Sequence, residues 1–212
     1  MNWIDFVNNV QVWAEERCIY EHSTPEAQLL KALSELGEVA DAVIKNDHSG
    51  LVDGVGDVAV CMVNYSKMAG IDVNDGFIEA ASEIDVDKKN QTEIFGAMSS
   101  AIGGILCPTK PDGSDNFLVH MVLLGLARLS RLRKVDFMEC CEQAWNEIKD
   151  RKGFLSPSGA FVKDESQDNE NQAQQEPIAW LNEETGDVIS SELKDYAPEM
   201  LKGYDVPLYR CP

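Results

Sequence analysis

The sequence predicts an all-α helical body that is followed by a small C-terminal module containing β-strands. Three observations support this class: apolar residues with helical spacing at the start, a helix-start signal before a long amphipathic stretch, and strand-like segments late in the chain. A run without any large apolar side chain separates the two parts and is predicted to be disordered. The predicted division is a helical domain over 1–164, a linker over 165–176 and the module over 177–212.

The first helix is predicted over Trp3 to Arg17. Apolar residues recur there with a helical period, which is typical of a helix that buries one face. The apolar residues of this predicted face are Trp3, Ile4, Phe6, Val7, Val10 and Trp13.

A second helix is predicted to begin at Ser23-Thr24-Pro25-Glu26. A hydroxyl residue there precedes a proline and an acid, and these residue types are favoured at the cap, the first position and the first turn of a helix. This helix carries Glu35 and Glu38, and we expect it to end near Ile44.

A polar break over 45–50 follows the second helix. Asn46 and Gly50 within it are stop signals, so we expect the chain to turn back at this point. The next helix carries Asp53 and Asp57 and would pack antiparallel to the second.

Four acids on these two helices are predicted to form a divalent-metal site. Glu35 and Glu38 are three residues apart, and Asp53 and Asp57 are four apart, so each pair lies on one face of its helix. Clustered carboxylates are unfavourable unless a cation neutralises them, and a set of oxygen ligands suits Mg²⁺ or Mn²⁺ rather than zinc. The alternative is that these are surface acids of two amphipathic helices. Apolar residues flank both pairs and favour the metal site.

The helical domain also contains a predicted internal repeat. Gly70–Ile84 can be aligned with Lys134–Ile148 without gaps, which predicts a degenerate first repeat over about 26–90 and a second over about 93–153. The second copy lacks the four acids, and the first copy lacks the cluster of basic residues that ends the second. Mimicry of one helix pair by another through periodicity alone is the alternative.

The C-terminal module is predicted to contain three short strands around turns with Asn and Gly. These segments are Pro177–Leu181, Asp187–Ser190 and Val206–Arg210. A unit of this size rarely folds alone, so we expect it to dock on the helical body or on a second copy.

Charge and cysteine content exclude several classes of function. The 212-residue chain has a formal net charge of −19, which argues against nucleic-acid polymers and anionic membranes as partners. No apolar run is long enough to span a bilayer.

The six cysteines form no CxxC pair and are predicted to be reduced core thiols of a cytosolic protein, not disulfides or zinc ligands. No histidine stands three residues after a glutamate, which argues against a Glu-x-x-His di-iron bundle.

At these residues the chain resembles the MazG-type all-α nucleoside triphosphate pyrophosphohydrolases. The matching residues, in order, are Gln28, Lys31, Glu35–Val39, Gly56–Val58, Asn64 and Ala144–Gly153. The closing run is particularly similar to the versions that bacteriophages encode. One position departs from the family pattern, because Gly54 stands where an acid is expected three residues before Asp57, and the nearest acid is Asp53.

The resemblance implies the helical bundle of this family and the hydrolysis of an NTP or dNTP to the monophosphate and pyrophosphate, with Mg²⁺ or Mn²⁺ as cofactor. The implied metal ligands are Glu35, Glu38, Asp53 and Asp57, and the implied catalytic residues are Glu38 and Glu35, with Glu38 preferred as the base. The implied substrate contacts are Lys31, Asn146, Lys149 and Arg151.

Other interpretations of these residues and of the whole chain stay open. Lys149 and Arg151 are the type of cation that a helix C-terminus favours, and Lys31 is placed to pair with Glu35 one turn on. The alternative functions are an inactive nucleotide-binding protein of the same fold and a protein-interaction module. For the pyrophosphohydrolase we expect a nucleoside triphosphate partner, a host-cytoplasmic location if a phage encodes the chain, and either a homodimer or a higher oligomer as alternatives to a monomer.

Overall fold

The computed structural model describes residues 1–74, 91–107, 113–151, 153–155, 161–163, 179–182, 188–190 and 204–208. The helices are α1 (Trp3–Glu16), α2 (Ile19–His22), α3 (Pro25–Lys45), α4 (His48–Ala69), α5 (Gln91–Leu106), α6 (Ser114–Arg133) and α7 (Phe137–Ile148). The strands are β1 (Gly153–Leu155), β2 (Phe161–Lys163), β3 (Ala179–Asn182), β4 (Val188–Ser190) and β5 (Tyr204–Leu208). A mostly helical protein is therefore confirmed. The predicted linker over 165–176 lies outside the described residues.

The chain divides into two compact units. The first consists of Met1–Ala14 with Thr24–Asp150, and the second of Glu15–Ser23 with Arg151–Pro212. In the second unit β1 pairs antiparallel with β2. A separate antiparallel sheet has the strand order β4-β3-β5.

Helix α1 buries the face that its apolar spacing predicts. Trp3, Phe6, Val7, Val10 and Trp13 lie in the core of the protein. The indole of Trp3 also donates a hydrogen bond from Nε1 to the carbonyl of Val73, at 2.7 Å. The prediction for Ile4 is wrong, because this side chain lies at the edge of the buried face and is 47% exposed.

Helix α3 begins where the sequence predicts. The side chain of Thr24 accepts a hydrogen bond from the backbone N–H of Ala27 at 3.1 Å, and Pro25 occupies the first helical position. Both features satisfy a helix start, because the first N–H groups have no partner within the helix and proline has no N–H.

The connection between α3 and α4 is shorter than the predicted break over 45–50. Asn46 ends α3 in the left-handed conformation with φ of 54°, and α4 begins at His48. Asp47 caps α4 by accepting a hydrogen bond from the N–H of Gly50 at 3.1 Å. Gly50 is therefore a residue of the first turn of α4, and the prediction that it stops a helix is wrong.

Helix α4 is the central helix of the first unit and packs on α3, α6 and α7. Glycines permit two of these approaches. A Cβ at position 54 would lie 2.8 Å from Val39 Cγ2 on α3, and a Cβ at position 56 would lie 2.5 Å from the carbonyl oxygen of Cys140 on α7. Almost every residue of α4 is buried as a result, apart from its two ends and the partly exposed Asp53 and Asp57.

The cysteines of the described residues carry free thiols. Cys61, Cys140 and Cys141 are buried, as predicted for core thiols, whereas Cys18 and Cys107 are partly exposed. Burial raises the pKa of all three buried thiols, so they stay protonated and unreactive at neutral pH.

Candidate functional site

Five carboxylates from three helices form one electrostatic group, which we call the acidic cluster. Its members are Glu35 and Glu38 on α3, Asp53 and Asp57 on α4, and Glu147 on α7. Four of them are the acids that the sequence predicts as metal ligands. The fifth, Glu147, comes from a helix about ninety residues further along the chain.

The pKa of Asp53 shows how closely these groups act on one another. Burial raises the pKa of this carboxyl above its ordinary value of 3.8, and the charges of Glu147, Glu35 and Glu38 raise it further. A hydrogen bond to Glu147 also favours the protonated form of Asp53. The carboxylates of α3 and α7 therefore repel the carboxylate of Asp53 on α4. A bound cation would reduce this repulsion.

Glu35 is the most deeply buried member of the acidic cluster, at 3% exposure. Lys31, one turn earlier on α3, donates a hydrogen bond from Nζ to Glu35 Oε1 and forms an ion pair with it. Burial lowers the pKa of Lys31, but the hydrogen bond and charge of Glu35 outweigh that effect, so the pKa of Lys31 is raised. The predicted pairing of Lys31 with Glu35 is confirmed.

Asp57 belongs to the acidic cluster because it acts on the same two side chains as Glu35 does. Its charge raises the pKa of Lys31 and that of the buried Cys61 thiol, and the charge of Glu35 acts on both groups as well. Burial is the largest cause of the raised pKa of Cys61, which keeps the thiol neutral beside the two acids. Asp57 and Glu35 therefore share one neighbourhood although they lie on different helices.

The packing of α4 on α3 leaves no room for a side chain at Gly54. Position 54 faces α3, and a Cβ there would lie 2.8 Å from Val39 Cγ2 and 3.3 Å from the backbone nitrogen of Val39. A glutamate would not fit unless α3 moved. Asp53 precedes this contact by one residue, is partly exposed, and interacts with Glu147, Glu35 and Glu38.

A cleft of about 460 Å³ opens beside part of the acidic cluster. Glu38 and Asp53 line it, together with Gly37, Asp41 and Lys45. Glu38 is exposed, so this carboxylate is accessible to a ligand or to water from the cleft.

The predicted phosphate contacts lie elsewhere on α7 or in the second unit. Lys149 donates a hydrogen bond from Nζ to Asn146 Oδ1 at 3.0 Å, and both side chains are exposed. Lys149 keeps helical dihedrals, and two residues along a helix correspond to a rotation of about 200°, so it leaves α7 on a different face from Glu147. Arg151 belongs to the second unit, where its carbonyl accepts a hydrogen bond from Arg17 Nε at 2.9 Å.

The donor set of the acidic cluster fits a hard divalent cation, because carboxylate oxygens are the ligands of Mg²⁺ and Mn²⁺. Among the described residues, no three of these carboxylates have oxygen atoms that all lie within 4.8 Å of one another. Mutual repulsion and the ion pair of Glu35 with Lys31 both favour such a separation. A metal would have to draw Glu38 and Asp53 together and compete with Lys31 for Glu35.

Sequence reasoning missed Glu147 as a member of the acidic cluster. A signal for it exists in the small residues Cys140 and Ala144, which lie on the side of α7 that approaches Gly56. Small residues on facing helices permit close backbone approach, and Glu147 is one turn after Ala144 on α7.

Comparison with known proteins finds a partial relative. No protein-family model matches the chain, and no solved structure matches it. A similar protein is the "Uncharacterized 18.2 kDa protein in rep-hol intergenic region" of Haemophilus phage HP1 (strain HP1c1), which is 39% identical over 66 residues. The match covers 31% of this chain and 40% of that protein, so this chain spans less than half of its relative's length.

Among the described residues, no helix combines the length and the apolar character that crossing a membrane requires.

Proposed function

We propose that this protein is a Mg²⁺-dependent nucleoside triphosphate pyrophosphohydrolase of the MazG type, which converts an NTP or dNTP to the monophosphate and pyrophosphate. The observation that carries the proposal is the acidic cluster, in which carboxylates of α3 and α7 raise the pKa of Asp53 on α4. A soluble triphosphate bound through a metal suits an acidic chain, because the cation supplies the positive charge that the protein lacks.

The residues of the acidic cluster have distinct roles in this proposal. Glu35, Glu38, Asp53 and Asp57 would hold one or two Mg²⁺ ions. When bound, Mg²⁺ neutralises charge on the phosphate oxygens and lowers the pKa of the attacking water. Glu38 is the exposed member that lines the cleft, and it accepts the proton of that water.

The remaining polar residues contact the substrate, or neutralise the acidic cluster when it holds no metal. Lys31 neutralises Glu35 when no metal is present and is free to contact a phosphate when a metal takes its place. Lys149 is proposed to contact a β- or γ-phosphate, and Asn146 the sugar or a phosphate. For Arg151, which belongs to the second unit, a phosphate contact stays an expectation from the resemblance.

A second candidate function is nucleotide binding without turnover in the same fold. Two features favour it: the carboxylate oxygens are well separated, and Lys31 forms an ion pair with Glu35. Both reduce the repulsion between the carboxylates when no metal is bound. A protein-interaction role remains the third alternative.

Three further features belong to the proposal. The first is the degenerate repeat, in which α3 and α4 correspond to α5 and α6. The second is a C-terminal β-containing module over 177–212, which includes β3, β4 and β5. The third is a phage origin with a location in the host cytoplasm, which the similarity to the phage HP1 protein supports over part of the chain.

The test is to incubate the purified full-length protein with a panel of NTPs and dNTPs in the presence of Mg²⁺. Monophosphate and pyrophosphate released in equal amounts support the pyrophosphohydrolase. Protection of the protein against heat by a nucleotide, without release of pyrophosphate, would indicate the binding protein instead.

The matched variants are Glu38→Gln, which removes a charge of the acidic cluster, and Glu93→Gln, which removes an exposed charge from α5. We expect Glu38→Gln to lower the turnover rate by about 100-fold or more, since it removes both a metal ligand and the base. Glu93→Gln retains the wild-type rate. Wild-type turnover in Glu38→Gln would contradict the assignment of the site.

A further inference from the structure

A second group of metal-ligating side chains lies in the second unit, at the junction of α1 and α2. Ligand atoms of Cys18, Glu21 and His22 all lie within 4.8 Å of one another. Among the described residues, these are the three side chains of ligand type that converge this closely. Cys18 is partly exposed, and Glu21 and His22 are exposed, so an ion from solution can reach them.

The backbone holds these three residues in one turn. Cys18 has φ of 54° and ψ of 23°, in the left-handed region that residues other than glycine rarely adopt. Its carbonyl oxygen accepts hydrogen bonds from the backbone N–H groups of Glu21, at 3.2 Å, and His22, at 3.1 Å. The strained residue therefore begins a short turn in which a thiol, a carboxylate and an imidazole follow each other on one side.

A hydrogen bond to the backbone selects one tautomer of the His22 imidazole. His22 Nδ1 lies 3.2 Å from the carbonyl oxygen of Cys18. A carbonyl accepts but never donates, so Nδ1 carries the proton of this hydrogen bond and Nε2 of the neutral ring presents a lone pair. Metal-ligating histidines commonly donate their second ring N–H to a carbonyl in this way, which fixes the tautomer and the ring orientation.

Neighbouring residues anchor the turn within its unit. Ile19 follows Cys18 and is 2% exposed, so the start of α2 is held by its buried side chain. Arg17 precedes Cys18, and its Nε donates a hydrogen bond to the carbonyl of Arg151 at 2.9 Å. The ligands therefore lie on a segment that is fixed on both sides of Cys18.

We propose that Cys18, Glu21 and His22 form a Zn²⁺ site with three protein ligands and one open position. Zinc is the metal that this donor set favours, because thiolate, imidazole and carboxylate are its ordinary ligands, whereas Mg²⁺ takes oxygen alone. This site is distinct from the acidic cluster in its ligands and in the metal that it selects. For Cys18 the proposal departs from the expectation that the cysteines are core thiols and not zinc ligands.

The experiment uses Co²⁺ as a spectroscopic substitute for zinc in the full-length protein. The protein is stripped of metal with a chelator and titrated with Co²⁺ in a buffer that contains excess Mg²⁺, which occupies the acidic cluster. We expect one equivalent of Co²⁺ to produce the near-ultraviolet absorption of a cobalt–thiolate bond, and Zn²⁺ to displace it.

Cys18→Ser abolishes that absorption. His22→Ala lowers the Co²⁺ affinity by more than about 10-fold, whereas loss of a hydrogen-bond partner behind a ligand lowers it by about 10-fold. The matched controls are Cys107→Ser and His48→Ala, which alter another partly exposed thiol and another exposed imidazole. Both controls retain the wild-type titration. Absence of the thiolate band in the wild-type protein, its persistence in Cys18→Ser, or an equal loss in Cys107→Ser would each overturn the zinc site.

Discussion

Two helix pairs of the first unit use similar packing but treat charge differently. The first pair is α3 with α4, and the second is α5 with α6. Each pair packs closely at a glycine: a Cβ at Gly54 would lie 2.8 Å from Val39 Cγ2, and a Cβ at Gly125 would lie 2.4 Å from Met98 Cγ. The first pair nevertheless buries the ionisable Glu35, whereas the aligned position in the second pair is the exposed Ser100.

The buried polar residues of α6 form hydrogen bonds within their own helix. His120 Nδ1 donates a hydrogen bond to the carbonyl of Asn116 at 2.8 Å, and Ser130 Oγ donates one to the carbonyl of Leu126 at 2.9 Å. α6 also carries one half-buried carboxylate, Asp115, which accepts a hydrogen bond from the hydroxyl of Tyr65 on α4 at 2.9 Å. The first pair differs because it groups several carboxylates together, which favours a role in ligand binding.

The largest expected effect concerns the contact between α4 of the first pair and α7. α4 packs on α7 at Gly56, where a Cβ would lie 2.5 Å from the carbonyl oxygen of Cys140 and 2.6 Å from Ala144 Cβ. Gly56→Ala therefore separates two backbones, and we expect the free energy of unfolding to fall by about 3 kcal/mol. Urea unfolding monitored by circular dichroism measures the change.

The corresponding variant in the second pair is Gly125→Ala. The clash there is with the flexible side chain of Met98, which can adopt another rotamer, so the expected loss is only about 1 kcal/mol. Gly37→Ala, at an exposed position with no atom near its Cβ, serves as the control and gains up to about 1 kcal/mol from helix propensity. Equal losses in Gly56→Ala and Gly125→Ala would remove the proposed difference between the two pairs.

The next prediction compares two lysine–carboxylate pairs with the same spacing on α3. Lys31 pairs with the buried Glu35, and Lys45 pairs with the exposed Asp41. Lys31→Met leaves a buried carboxylate without its cation, so we expect a loss of about 2 kcal/mol, less than for a wholly buried pair because Lys31 is largely exposed. Lys45→Met leaves stability unchanged, because ion pairs in solvent contribute little.

Thermal unfolding of both variants with and without Mg²⁺ extends this comparison. If the acidic cluster binds the ion, Mg²⁺ restores stability to Lys31→Met and has no comparable effect on Lys45→Met. Equal losses in the two variants would show that the burial of Glu35 has no energetic consequence.

The smallest expected effect concerns pH. Burial, followed by the charges of Glu147, Glu35 and Glu38, raises the pKa of Asp53 above 3.8. The folded state then holds this proton more tightly than the unfolded state, so stability falls as pH rises from 3.8 through the raised pKa. Asp53→Asn removes that loss, and we expect it to stabilise the protein at neutral pH by less than about 1 kcal/mol, because solvent screens a partly exposed group.

Urea unfolding of Asp53→Asn and the wild-type protein from acid to neutral pH measures this effect. The difference between them vanishes at pH values well below 3.8, where both states are protonated. Glu93→Gln is the control with an exposed acid. A stabilisation of Asp53→Asn that is independent of pH would contradict an origin in charge repulsion.

Local signals in the sequence predict the start of α3 and the face of α1. Thr24 and Pro25 meet the requirements of a helix start with groups that lie within a few residues of one another, so no knowledge of tertiary structure is needed. The end of α3 follows a local signal as well, because Asn46 caps it. The start of α4 is harder to predict, because Gly50 is a stop signal by residue type and a capped first-turn residue in the structure.

The acidic cluster is only partly readable from the sequence. Helical spacing predicts that Glu35 and Glu38 share a face, and likewise the two aspartates of α4, because spacing within a helix is a local property. Glu147 joins them through contact between α4 and α7 at Gly56, which depends on how two helices distant in sequence approach each other. Periodicity carries no information about that approach.

The contact of Gly54 with Val39 makes these two positions epistatic. An acid at position 54 would collide with a side chain and a backbone nitrogen of α3, so a chain with Val39 in place does not accept one. Val39→Ala clears the side chain but leaves a cavity in the core, which lowers stability before any ligand is gained. An acid at position 54 therefore requires a second change that lowers stability, whereas Asp53 places a carboxylate at the neighbouring position without one.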